Sequence, residues 1–445
     1  MVIKRLMKKL FCLICVLLFS AALFAQTDEN GEIIKYRRSS LYSVLVNHPG
    51  VPYAEQIQQA FMAVPIPDKF NDHNLYYRGF NSSAAKMKQH GKKKDEGNKV
   101  DADDFIDNYN IANGMVAKWF NRNAVTGGFD MNLVQERGYY DASKLDIDMA
   151  EMTDKGLAVL GDAGEELIGN TFLLVNDITY VDKGKVSSGV ATGIRVASQV
   201  AGLFFGSDIS RAGDAIAKAT NEVDGFTVNI TSYLYRLVWN EETMGTFYKN
   251  FWYPASEENP EKKAAFDNSK DFELLYVGSS NTSAAIVTSK SFSKLTKEEQ
   301  MVKACARAVD KSIVELQREY DEFKVNVPIF SVSDDKKTVE VKIGLKEGIT
   351  EKSELEILSP MEDKDGRIRY NSVGRIKPVK GKIWDNRFGA LEEAQMIEAA
   401  KAAGEKVKDG DVDLKAASLT STTFKVLSGA NQVYPGCLVR EVKIK

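Results

Sequence analysis

Few residues in this chain combine a reactive side chain with the spacing that chemistry would need. Histidine occurs three times, as His48, His73 and His90. Asp68, Asp72 and Asn74 surround His73 with ligand-type atoms, but no second histidine or cysteine stands at a defined transition-metal spacing. A turn whose Asp and Asn side chains cap the backbone explains that cluster, so no metal ligand is nominated. The run Glu362, Asp363, Lys364, Asp365, Gly366 has the texture of a calcium loop. It fails as one, because Met361 would fill the first ligand position and Ser372 the bidentate glutamate position, and a hairpin turn is the better account. Gly161, Asp162, Ala163, Gly164 and Gly169 do not space as a dinucleotide or P-loop fingerprint, and no G-x-S-x-G elbow occurs. Motifs therefore nominate no catalytic residue and no cofactor.

Two groups point to contacts rather than to bond-making. Gly189 with Gly193, and Gly202 with Gly206, have the small-xxx-small spacing that lets helices approach closely, as in membranes. Arg195 in the same segment would be expensive in lipid, while Phe204 and Phe205 would suit it. These residues are candidates for partner or membrane contact, against the simpler reading of a helical insertion packed on its own domain. Tyr248, Phe251, Trp252 and Tyr253 precede Pro254 and a charged loop, Glu257 to Lys263. Four large rings beside a surface loop fit protein or glycan binding; closing the edge of a core accounts for them more simply.

The elements that would have to position such residues begin with an export signal. Lys4, Arg5, Lys8 and Lys9 precede an apolar run from Leu10 to Phe24 that ends at the small residue Ala25. This is the order of a cleavable secretory signal peptide over residues 1–25, and the run is short for a membrane span of about 20 apolar residues. Cys12 and Cys15 lie inside it without a lipobox, leaving Cys305 and Cys437. Export permits a disulfide between these two, whereas the place of Cys305 on an apolar helix face suits a small core residue. Four of the 59 Lys and Arg and none of the 62 Asp and Glu lie in the signal, so the remainder carries 55 against 62, a net charge of −7 rather than −3. No basic patch dominates, which argues against nucleic acid as a partner. The length of 445 residues calls for more than one core.

Residues 26–86 read as an amino-terminal extension, with an extended stretch from Leu41 to Val46 and a helical pattern from Tyr53 to Met62, and residues 87–102 read as a polar linker. From Asp103 to Trp119 the apolar residues keep helical spacing. An extended segment from Phe129 to Tyr140, a helix from Asp146 to Gly161, and strands at Thr171–Val181, Phe226–Trp239 and Phe272–Val277 follow. Residues 185–225 form an insertion. Thr296 and Glu299 make a capping box for a long helix whose buried stripe is Val302, Cys305, Val309, Ile313, Leu316 and Tyr320. Residues 103–322 thus read as an α/β layer domain. Residues 323–445 change to short alternating strands with a helical insertion at 390–404, the pattern of a small antiparallel β-barrel-like domain. The fold class is α+β.

This order of elements resembles the α/β domain of the curli-secretion protein CsgG and of the amino-terminal domain of TolB. The resemblance rests on the helix ending in Trp119 and Phe120, Phe129 to Arg137 as the strand preceding a second helix, the strand Gly169 to Ile178 and its hairpin partner Phe226 to Trp239. Val339 to Trp384 with Pro435 to Val442 is similar to the carboxy-terminal barrel of the flagellar protein FlgT. The chain departs from the secretion-channel members in lacking a lipobox and obvious paired lipid-facing strands. The resemblance implies a non-enzymatic role in binding, assembling or anchoring envelope components in the periplasm or at the outer membrane. Other envelope proteins or further copies of the chain would be partners, with peripheral membrane contact at most. An exported hydrolase with a site assembled from distant residues, for instance around His73, is the alternative.

Overall fold

The computed structural model describes residues 39–50, 53–67, 69–82, 94–140, 167–182, 223–289, 296–324, 326–362, 368–404 and 412–442. The signal segment, the helical pattern Asp146 to Gly161, the contact candidates Gly189, Gly193, Arg195, Gly202, Phe204, Phe205 and Gly206, and the turn at Asp363 to Gly366 lie outside these residues. Strand β1 (Ser39–Asn47) is buried along almost its whole length, as a central strand must be. It runs parallel to β2 (Phe70–Asp72) and β3 (Gly79–Asn81) on one side and to β4 (Thr171–Asp182) on the other. β5 (Val223–Leu237) and β6 (Leu274–Ser289) continue the sheet antiparallel, giving the order β2-β1-β4-β5-β6 with β3 beside β1.

Alternate residues of each strand enter opposite cores. Tyr42, Val44, Leu173, Val175, Tyr233 and Tyr235 face helices α2 (Lys94–Asn108) and α3 (Ile111–Trp119). Leu41, Leu45, Phe172, Leu174, Ile230 and Leu234 face α1 (Ala54–Ala63) and α7 (Lys297–Glu319). The sheet is therefore the middle of three layers. Helix α7 starts at the capping box read from the sequence: the Thr296 hydroxyl accepts from the Glu299 amide at 3.2 Å, and the Glu299 carboxylate accepts from the Thr296 amide at 2.7 Å. Cys305, Val309, Ile313 and Leu316 form its buried stripe.

Four expectations need correction. Residues 39–82 supply a central strand, two edge strands and a helix to the sheet, so this part of 26–86 is no extension. Parallel pairing joins residues far apart in sequence and leaves no local signal. The linker 87–102 is helical from Lys94 onward, because α2 buries Ala102, Phe105 and Ile106 and pairs Lys99 with Asp103 at 2.7 Å. The helical pattern from Asp103 to Trp119 is broken at Asn110, whose φ of 48° is left-handed. Finally, the extended reading of Phe129 to Tyr140 gives way to helix α4 (Asn132–Tyr140), where Asp130 Oδ1 accepts from the Asn132 amide and a three-residue step buries Val134 and Arg137.

The second domain closes as a barrel in the order β10-β11-β8-β7-β12-β9, from β7 (Val327–Val332), β8 (Thr338–Val341), β9 (Leu355–Glu362), β10 (Ile368–Pro378), β11 (Thr422–Ser428) and β12 (Leu438–Glu441). The terminal strand β12 pairs with both β7 and β9 and so completes the ring. The interior holds Ile329, Val339, Val341, Ile357, Ile376, Phe424 and Val439. Between β10 and β11 lie α8 (Ala390–Ala402) and the short α9 (Leu414–Ala417). Cys305 and Cys437 are free and buried in different cores. Burial pushes the Cys305 thiol up to about 12, so it is no reactive thiolate at neutral pH.

Candidate functional site

A cleft of about 400 Å³ opens where the barrel meets the sandwich. Each wall is fixed by packing behind it. On the sandwich side Phe70 stacks on Phe323 at 5.3 Å and Phe323 meets Phe172 at 4.8 Å, which anchors Lys69 and Lys324 at the rim. The last turn of α7 adds Gln317 and Arg318. On the barrel side stand the short turn Leu345–Glu347, then Ile349, Thr350 and Ser353, and strand β12. Gly348 permits this close approach: its φ is 72°, and a Cβ there would lie 2.7 Å from Val314 and 2.9 Å from Arg318.

Ion pairs hold the walls together. Arg318 Nη2 donates to Glu441 Oε1 at 3.2 Å and to the Gly348 carbonyl at 2.8 Å. Further along α7, Glu393 of α8 accepts from Lys303 at 2.8 Å and Arg307 at 2.9 Å, with all three side chains at most 13% exposed. Burial works to raise the Glu393 pKa, but the two cations outweigh it and hold the carboxyl below its ordinary range. The cleft floor is apolar, with Val327, Ile343, Leu355 and Val439. Such a site can hold a ligand by its hydrocarbon part and read a charge at its rim.

A second cluster sits at the carboxyl ends of the parallel strands β1 and β3, where open α/β sheets place their ligand sites. His48 Nε2 contacts Asp177 Oδ1 at 2.6 Å and His48 Nδ1 contacts Ser82 Oγ at 2.9 Å. Burial works to lower the His48 pKa, while the hydrogen bond and charge of Asp177, with Asp101 nearby, raise it overall. Beside the cluster is an opening of about 400 Å³ lined by Asn47, Asn81, Asp101, Asp104, Phe105 and Tyr109. The residue types are those of a nucleophile, a base and an orienting carboxylate. The ring is reversed relative to the usual serine triad, with the carboxylate on Nε2.

Other sequence candidates fall elsewhere. His73 is fully buried: its Nε2 contacts the Met115 carbonyl at 2.9 Å and its Nδ1 faces Arg137 Nη1 at 3.2 Å. Arg137 can only donate, so Nδ1 accepts and Nε2 carries the proton. Burial, reinforced by the Arg137 charge, drives the His73 pKa well below its ordinary value. A neutral histidine whose ring lies 5.5 Å from that of Trp119, tilted by 31°, is a core residue, which removes His73 as a hydrolytic centre. Among the described residues no group of His, Cys, Asp and Glu could hold a metal ion.

The aromatic group Tyr248, Phe251, Trp252 and Tyr253 is likewise not a surface cluster. It follows α5 (Glu241–Thr246) through a π-helical turn, Phe247–Phe251, and precedes α6 (Pro260–Asn268). Phe251 and Tyr253 are buried, and Tyr248 and Trp252 pack on the core beside Phe120, Phe129 and Phe247. Sequence reasoning missed the cleft and the His48 cluster. Asp177 lies 129 positions from His48 and Ser82 lies 34 away, so only the sheet brings them together. No protein-family model matches the chain, and no curated protein is significantly similar to it.

Proposed function

We propose that this chain is an exported, non-enzymatic cell-envelope protein that binds a ligand or partner in the cleft between its α/β sandwich and its barrel, and so assembles or anchors envelope components. The observation that carries this reading is the cleft itself, which takes its rim from both domains and is braced by Arg318 on Glu441 and by Glu393 on Lys303 and Arg307. Two domains locked in one orientation offer a preformed site, which lowers the entropy cost of binding. The charged n-region, apolar run and Ala25 support export. The order of a CsgG- and TolB-like α/β domain before a FlgT-like barrel supports the envelope setting. Among the described residues no helix is long and apolar enough to cross a membrane. Cell fractionation with chemical cross-linking tests the proposal: recovery in an envelope complex supports it, and recovery only as a free monomer in the periplasm opposes it.

The contact of His48 with Ser82 and Asp177 favours one second reading, that of an exported hydrolase using Ser82. A fluorophosphonate probe separates the two. Labelling of wild type that is lost in Ser82→Ala supports the hydrolase; an unlabelled protein leaves the cluster as a clasp joining β1, β3 and β4.

A further inference from the structure

The cations around the cleft are not equivalent. Arg440 places two nitrogens on Glu356 Oε1, at 2.8 and 2.6 Å, Arg318 reaches Glu441, and Lys324 reaches Asp321 at 2.6 Å. Lys69 differs. Its Nζ donates to the neutral amide oxygen of Gln317 at 2.8 Å, and among the described residues no carboxylate lies within ion-pairing distance. An ammonium has three donors; Lys69 lines the cleft, and besides Gln317 its Nζ has only the face of the Phe70 ring, 5.9 Å away, among the described residues. Burial lowers the Lys69 pKa; Glu347, Asp310 and Glu441 oppose this only through more distant charge, and Lys346 adds to it. A mostly buried cation with so little compensation needs a counter-charge.

Resting on the reading of the cleft as a binding site, we propose that its ligand is a small amphipathic anion: one carboxylate seated against Lys69 Nζ, and a hydrocarbon body lying on Val327, Ile343, Ile349, Leu355 and Val439. All five of these side chains are buried in the protein and line the cleft. A volume of about 400 Å³ suits a small-molecule ligand. The other cations are engaged by carboxylates of the protein, so the site reads a single charge. Lys69 fixes the orientation of the ligand, and the apolar floor receives its hydrocarbon part.

Calorimetric titration of the full mature chain with decanoate, below its micellar range, and with decanol tests the proposal. Wild type binds decanoate at least tenfold more tightly than decanol. Lys69→Met, which keeps the buried stem, loses that preference while its decanol affinity stays within about twofold, and Lys69→Arg, which restores the charge, keeps it. Circular dichroism confirms that each variant is folded. Equal affinity for the two probes in wild type, or decanoate affinity unaffected by Lys69→Met, overturns the charge reading while leaving the cleft a binding site. Absence of binding by both probes overturns the ligand class. The cleft reading itself falls only if a cross-linker placed on its rim also captures nothing.

Discussion

His48 and His73 are both buried, yet their surroundings drive them in opposite directions. Asp177 on Nε2 makes the protonated form of His48 favourable, whereas Arg137 beside Nδ1 makes that of His73 costly. A raised folded-state pKa contributes stability that is complete below the ordinary histidine pKa of about 6.5 and fades as pH rises through the folded value. His48→Gln should therefore lower stability most at mildly acidic pH, and the gap from wild type should close towards pH 8. Urea unfolding across that range measures it, and a gap independent of pH would rule out the charge pairing. His73 carries the opposite sign, since it loses stability as pH falls below the ordinary range. None of this was legible in sequence, where His48 stood alone and His73 had the more suggestive neighbours, Asp72 and Asn74. Of those two, Asp72 Oδ1 accepts from the Asn74 amide, which is the capped turn its composition implied. Trp119 offers a plainer test at this scale. It is fully buried and its indole donates to Thr171 Oγ1 at 2.8 Å. Trp119→Ala should cost about 3–5 kcal/mol of unfolding free energy.

Elements were legible in proportion to how local their cause is. Helix α7 was readable to its first residue, because a capping box and a stripe at steps of three and four both lie within one segment. The hairpin partners β4 and β5 could be matched because both are long and apolar. β1 could be recognised as extended, but its position beside β4 depends on a parallel crossover whose partners begin 131 residues on, at Thr171 opposite Ser40. The closed barrel was expected from alternation and turns, and its closure depends on two close backbone contacts. At Gly374 a Cβ would lie 2.4 Å from the Ser428 carbonyl oxygen, and at Gly429 one would lie 2.2 Å from the Val373 carbonyl oxygen. Gly374→Ala should force β10 from β11 and destabilise the barrel by about 1–3 kcal/mol. Hydrogen exchange should then quicken in β10 and β11 and stay unchanged in β4 and β5. Equal quickening in both domains would contradict a local cause.

At the scale of the whole molecule, ion pairs link the two domains. Glu393 is the hinge of that arrangement, since Lys303 and Arg307 of α7 both depend on it. Removing one partner from a buried pair leaves uncompensated charge, so Glu393→Ala should cost about 3–5 kcal/mol. Because the Glu393 pKa is held low, the linkage is present above the ordinary carboxylate range and is lost as pH falls through the lowered value. Calorimetry should show the sandwich and barrel melting further apart in Glu393→Ala, and in wild type as it is acidified; an unsplit transition in both would mean that other contacts carry the coupling. The cleft belongs to the same scale, because neither domain forms it alone. That is why sequence could point to two domains but not to the site between them. The most direct test is a photo-cross-linking residue at Thr350, exposed on the cleft rim, compared with one at Lys336 in the exposed β7–β8 turn, both in intact cells. The account predicts a discrete adduct from position 350, absent at 336 and suppressed by decanoate; adducts equal at both positions, or none at 350, would contradict it.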